Sequence, residues 1–185
     1  MPIIAELTKK AKQTRMIMMD VDGVLTDGRI LYSSDGVEIE AFHIRDGVGL
    51  RAAHRAGLLI ALLTGRVSPA VARRAKELGI SEVHQGIRDK VETYENLLRR
   101  YSLSDEAVAY VGDDLNDLPL LIRAGFSAAP SDAADEVKAR VAYVTARGGG
   151  RGAVREVIEL ILKAQGKWEE VIESRGVLRG DEAFP

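Results

Sequence analysis

Two aspartates, Asp20 and Asp22, follow the apolar run M-I-M-M (16–19) with one residue between them and a glycine directly after. Asp113 and Asp114 follow A-V-A-Y-V (107–111) and Gly112, with Asp117 close behind; Thr64 and Gly65 follow L-L-I-A-L-L (58–63). Carboxylates brought this close repel one another, so they need a cation or shifted pKa values. The chain has no cysteine, and an all-oxygen ligand set favours Mg²⁺ over zinc. Mg²⁺ characteristically neutralises phosphate oxygens. The Thr64 hydroxyl with nearby backbone N–H groups, and Lys90 in Q-G-I-R-D-K, are the matching phosphate donors. One carboxylate of D-x-D can attack phosphorus as a nucleophile. The other can protonate the leaving alcohol and later activate water.

Such residues meet only if the chain delivers them to one edge. The runs at 16–19, 58–63, 107–111 and 142–145 read as strands, with weaker candidates at 82–85 and 126–129. Helical patterns fill the gaps over 46–56, 68–78, 89–101, 116–124 and 153–164, and Pro69 after Ser68 suits a first helical turn. Short strands alternating with helices predict an α/β fold built on a parallel sheet. The near-continuous apolar strands predict helices on both faces, a three-layer Rossmann-like arrangement. Ligands of such sheets bind outside the carboxyl ends of the strands, which is where the aspartates, Thr64 and Gly65 fall.

One segment departs from that rhythm. Between about 27 and 44, R-I-L-Y and V-E-I-E-A-F flank S-S-D-G and predict a protruding β-hairpin. Isolated hairpins are marginal in water. This one carries Ile30, Tyr32, Val37, Ile39 and Phe42, so it is expected to pack on a second subunit or fold back on its own domain. The tail from about 167 to 185 lacks a strong pattern and is expected to be extended.

The chain has 185 residues, which suits a single domain spanning 1–185 with a sizeable core. Net charge is −2 with 29% charged residues, which gives no hint of nucleic-acid or anionic-membrane binding. No apolar run approaches the roughly 20 residues of a membrane span. The charged N-terminus is unlike a signal peptide, so a cytoplasmic location is expected.

The ordered set D-V-D-G-V, L-L-T-G-R, G-I-R-D-K and V-G-D-D-L-N-D resembles the haloacid dehalogenase superfamily of phosphohydrolases, over about 16–164. The resemblance implies Asp20 as nucleophile and metal ligand. It implies Asp22 as general acid/base, lending its backbone carbonyl to Mg²⁺. Thr64, Gly65 and Lys90 would hold the phosphoryl group; Asp113 would complete the metal site, supported by Asp114 and Asp117. The first gap holds only the hairpin, and one helix and one strand fill Thr64 to Lys90, so no cap domain is expected. F-H-I-R-D-G and G-G-R-G-A-V-R-E resemble the small capless members that hydrolyse acidic keto-sugar phosphates. Those members are homotetramers whose hairpins assemble the oligomer. The implied substrate is an eight-carbon acidic sugar phosphate, with a nine-carbon one as the alternative. Arg66, Arg45 and Asp46 would contact it, Arg66 by reading its carboxylate.

A signalling receiver also gathers aspartates, threonine and lysine around Mg²⁺, but its acidic pair precedes its acceptor aspartate. Here D-x-D leads and D-D comes last. A catalytically idle binding module on the same fold is the third reading, and the intact set of chemical residues counts against it. G-G-G-R-G-A (148–153) spells part of a dinucleotide motif, but no second strand ending in an acidic residue follows; a tight loop near the phosphate mouth is expected instead. His43, His54 and His84 share no ligand spacing.

Overall fold

The computed structural model describes residues 2–173. Its strands are β1 (Met16–Met19), β2 (Leu31–Tyr32), β3 (Glu38–Ile39), β4 (Leu59–Leu63), β5 (Glu82–His84), β6 (Val108–Val111), β7 (Phe126–Ala129) and β8 (Tyr143–Val144). Its helices are α1 (Pro2–Gln13), α2 (Ile44–Arg55), α3 (Pro69–Leu78), α4 (Lys90–Tyr101), α5 (Leu118–Arg123), α6 (Asp135–Lys138), α7 (Ala153–Ala164) and α8 (Trp168–Glu173). Six strands form one sheet in the order β5-β4-β1-β6-β7-β8. Every pairing in it is parallel, as the crossover pattern predicts.

Strand alternation builds two cores. Along β1, Ile17 and Met19 face one cluster with Leu50 of α2 and Val157 and Ile161 of α7. Met16 and Met18 face the other, with Tyr94 and Leu97 of α4 and Leu120 of α5. All four β1 residues are fully buried. Successive side chains on a strand point to opposite faces, so a continuous apolar run satisfies both layers at once. Burying one such side chain is worth about 1.5–3 kcal/mol, and β1 sits between β4 and β6 at the middle of the sheet.

Helix starts lie close to the signals in the sequence. The Ser68 hydroxyl accepts from the N–H groups of Ala70 and Val71, with Pro69 next in the first turn of α3. Asp89 caps α4 in the same way and so puts Lys90 at its first position. His43 caps α2, its Nδ1 accepting from the Arg45 N–H at 3.2 Å.

Two elements differ from expectation. Residues 2–13 form α1, a helix not among those expected, which packs on α7; Ala11 is its one fully buried apolar side chain among residues 5–13. The expected extended tail begins as α8, where Trp168 is buried with Arg155 and Lys163 over its ring at 4.9 and 5.6 Å; residues 174–185 lie outside the described residues. The hairpin forms as β2 and β3. Its Tyr32, Val37 and Ile39 are 65%, 56% and 50% exposed within one chain. Among the described residues, no helix is long and apolar enough to cross a membrane.

Candidate active site

Parallel strands deliver their carboxyl ends to one edge, and three of them carry the site. Asp20 follows β1 directly, with its N–H donating to the Val111 carbonyl. Thr64 follows β4, and Asp113 stands two residues beyond β6. The chain must then leave β1 sharply. Gly23 does so at φ +82°, and a Cβ there would strike the Asp113 carboxylate. The 148–152 loop closes over this turn. Gly150 donates its N–H to the Val24 carbonyl at 3.0 Å, and a Cβ on Gly149 would collide with the Gly23 carbonyl. The glycine-rich stretch is thus a strap across the D-x-D turn, as the loop reading expects.

Lys90 enters from the start of α4. Its Nζ lies 2.8 Å from Asp20 Oδ2 and 2.8 Å from Asp117 Oδ1. Burial alone would lower the lysine pKa, but Asp117 and Asp20 outweigh it and hold the ammonium charged. Asp117 is fully buried. Its Oδ1 also accepts from the Tyr110 hydroxyl at 2.8 Å, and its Oδ2 accepts the Asp113 N–H at 3.1 Å. Asp117 therefore anchors Lys90 and the loop that presents Asp113. Tyr110 is a contributor absent from the sequence reading; the available signal was a hydroxyl-bearing residue within the otherwise apolar V-A-Y-V.

The carboxylates carry more negative charge than Lys90 balances. Burial first, and then Asp117, push Asp20 up to about 6. Burial, Asp20 and Asp117 push Asp113 up to about 7. Asp20, Asp113 and Asp117 offer oxygens all within 4.8 Å of one another. Asp117 already serves Lys90, Tyr110 and the Asp113 amide, so Asp113 and Asp20 are the better candidates to ligate, with Asp20 shared with Lys90 and the Val21 N–H. A buried, oxygen-only, charge-deficient set fits a hard divalent cation.

On the other side of Asp20 sits Asp22. The Thr64 hydroxyl lies 3.2 Å from Asp22 Oδ2 and accepts the Arg66 N–H at 3.1 Å. Arg66 places one guanidinium nitrogen 3.0 Å from Asp22 Oδ1 and the other 2.7 Å from Glu38 Oε1, on the hairpin. Gly65, between them, is exposed at the mouth. Asp20, Asp22, Thr64, Gly65, Lys90 and Asp113 thus converge.

The remaining expectations fare differently. Arg66, expected to read a substrate carboxylate, has its fork engaged by Asp22 and Glu38. Asp46, expected at the substrate, is 1% exposed. Its two oxygens accept the N–H groups of Gly152 at 3.1 Å and Arg155 at 2.7 Å. It latches the start of α7 to α2, because two buried amides give a buried carboxylate the donors it requires. Arg45 is exposed beside the α2 cap, and Asp114 is exposed and caps its own turn through Leu115.

A family model described as haloacid dehalogenase-like hydrolase matches residues 79–158. The chain is 44% identical to 3-deoxy-D-manno-octulosonate 8-phosphate phosphatase KdsC of Escherichia coli (strain K12), across 91% of this chain and 90% of that one. A crystal structure of the phosphatase of the same name from Moraxella catarrhalis, in complex with magnesium ion, phosphate ion and KDO, matches with a TM-score of 0.90 at 44% identity, covering 93% of this chain and 99% of that one. The cobalt-bound form of the deoxy-D-mannose-octulosonate 8-phosphate phosphatase from Haemophilus influenzae matches with a TM-score of 0.85 at 39% identity, covering 92% and 99%.

Proposed function

Because the chain belongs to the haloacid dehalogenase-like hydrolase family, we propose that it is a Mg²⁺-dependent phosphatase that hydrolyses 3-deoxy-D-manno-octulosonate 8-phosphate to KDO and inorganic phosphate, a step in making the sugar of lipopolysaccharide. The observation that carries the reading is the buried mouth where Lys90 Nζ stands 2.8 Å from Asp20 Oδ2 and Asp22 lies beside Thr64.

In the first step Asp20 attacks phosphorus. A carboxylate–phosphorus bond forms, the ester P–O bond breaks, and Asp22 gives its proton to the departing sugar oxygen. In the second step Asp22 takes a proton from water, which attacks the phosphoryl group and frees Asp20. Lys90 and Thr64 hold phosphoryl oxygens, with the Gly65 backbone beside them. Asp20, Asp113 and the Asp22 carbonyl would hold Mg²⁺, which when bound neutralises charge on the transferring group.

The reading extends to the whole chain as one capless domain working in the cytoplasm. It also makes the protein a homotetramer, since the outward apolar face of the hairpin is what a second copy would cover.

Phosphate release is the test, with Mg²⁺, across eight- and nine-carbon keto-acid phosphates and simple hexose phosphates. Strong preference for the eight-carbon acid is expected. Preference for the nine-carbon acid would move the substrate. A persistent aspartyl-phosphate without turnover would replace the phosphatase with a signalling role.

A further inference from the structure

The hairpin has two faces, and only one of them is apolar. Along 37–40 the side chains alternate between exposed and half-buried, the period of a strand. Val37 and Ile39 point away from the chain's own body. Glu38 and Glu40 point inward, toward the mouth. Glu38 Oε1 meets Arg66 at 2.7 Å.

A guanidinium is a planar fork, and a carboxylate on each prong fixes its orientation in a way a single partner does not. Arg66 has Asp22 on one prong and Glu38 on the other. We propose that Glu38 is a positioning residue: it holds Arg66 across Asp22 and so sets the carboxyl group that gives the proton to the leaving oxygen. The inference rests on the phosphatase reading and on Asp22 as its acid. It makes the hairpin a wall of its own chain's active site as well as an assembly surface.

The test is Glu38→Gln, assayed with Mg²⁺ on two esters. One is an alkyl sugar phosphate that the unaltered protein hydrolyses, whose alkoxide cannot leave without a proton. The other is p-nitrophenyl phosphate, whose phenolate leaves unaided. Misplacing a general acid removes part of a contribution of roughly 10²–10⁴, so kcat on the sugar ester should fall about tenfold or more. KM should change little, and the aryl ester should lose far less. Glu38→Asp, which keeps the charge but shortens the reach, should give the same split and serves if Glu38→Gln does not fold. An equal fall on both esters would mean a merely structural role and overturn the proposal. So would a rise in KM alone, or no change. If the unaltered protein releases phosphate from neither ester, the phosphatase reading fails instead.

Discussion

Raising the pH should destabilise the metal-free protein, and Mg²⁺ should reverse the effect. Asp20 and Asp113 have ordinary values of 3.8 and stand at about 6 and about 7 in the folded chain. Both folded values are raised, so the folded state holds protons that the unfolded state has released. Their contribution is fully present below about pH 4 and is lost as pH rises through about 6 to 7. One pKa unit corresponds to about 1.4 kcal/mol; the rise of Asp20 alone, from 3.8 to about 6, amounts to about 3 kcal/mol. The two carboxylates repel each other and titrate as a pair, so this figure is the order of the effect. Between pH 5 and 8 about half of it, about 1.4 kcal/mol, is lost, so at about 2–4 °C per kcal/mol for a chain of this size Tm in a chelator should fall by about 3–6 °C from Asp20 alone. Carboxylates with lowered values, such as the half-buried Glu77 paired with Arg74 and Arg73, act in the opposite direction, but only below about pH 4.5. Mg²⁺ should raise Tm far more at pH 8 than at pH 5, since only ionised carboxylates bind it. Thermal unfolding followed by circular dichroism, in chelator and in Mg²⁺, reads both. Asp20→Asn should flatten the metal-free profile. A Tm that stays level or rises from pH 5 to 8 in chelator would refute the reasoning, as would an equal Mg²⁺ gain at both pH values.

Other outcomes follow from the same contacts. Asp20→Asn should abolish phosphate release while leaving the fold intact; normal turnover would remove it as nucleophile. Lys90→Met leaves Asp20 and Asp117 buried without their cation, so it should cost about 3–5 kcal/mol, measured by urea unfolding, and abolish turnover. Tyr110→Phe removes a hydroxyl that donates to the buried Asp117 carboxylate; a loss of about 1.5–3 kcal/mol is expected in the same measurement, and none would mean the bond contributes nothing. Gly149→Ala puts a Cβ against the Gly23 carbonyl and should lower both Tm and kcat by displacing the D-x-D turn.

The local order of residues was enough to specify the sheet and most of the mouth. An apolar run such as Met16–Met19 reads as a strand buried on both faces, and a polar residue at its end must emerge at the sheet edge. Asp20, Thr64 and Asp113 were therefore legible as neighbours before any coordinates, as was the order of motifs that distinguishes a phosphatase from a receiver. What tertiary structure decided is which polar group each of them meets. Asp46 and Gly152 are 106 positions apart, and nothing local marks that carboxylate as a latch. Arg66 looked available to a substrate until the hairpin brought Glu38 to its second prong. Tyr110 read as one more strand residue until Asp117 met its hydroxyl. The physical reason is common to all three. Strand and turn patterns are written in neighbouring residues, whereas the partner of a buried charge is fixed only when distant segments close around it.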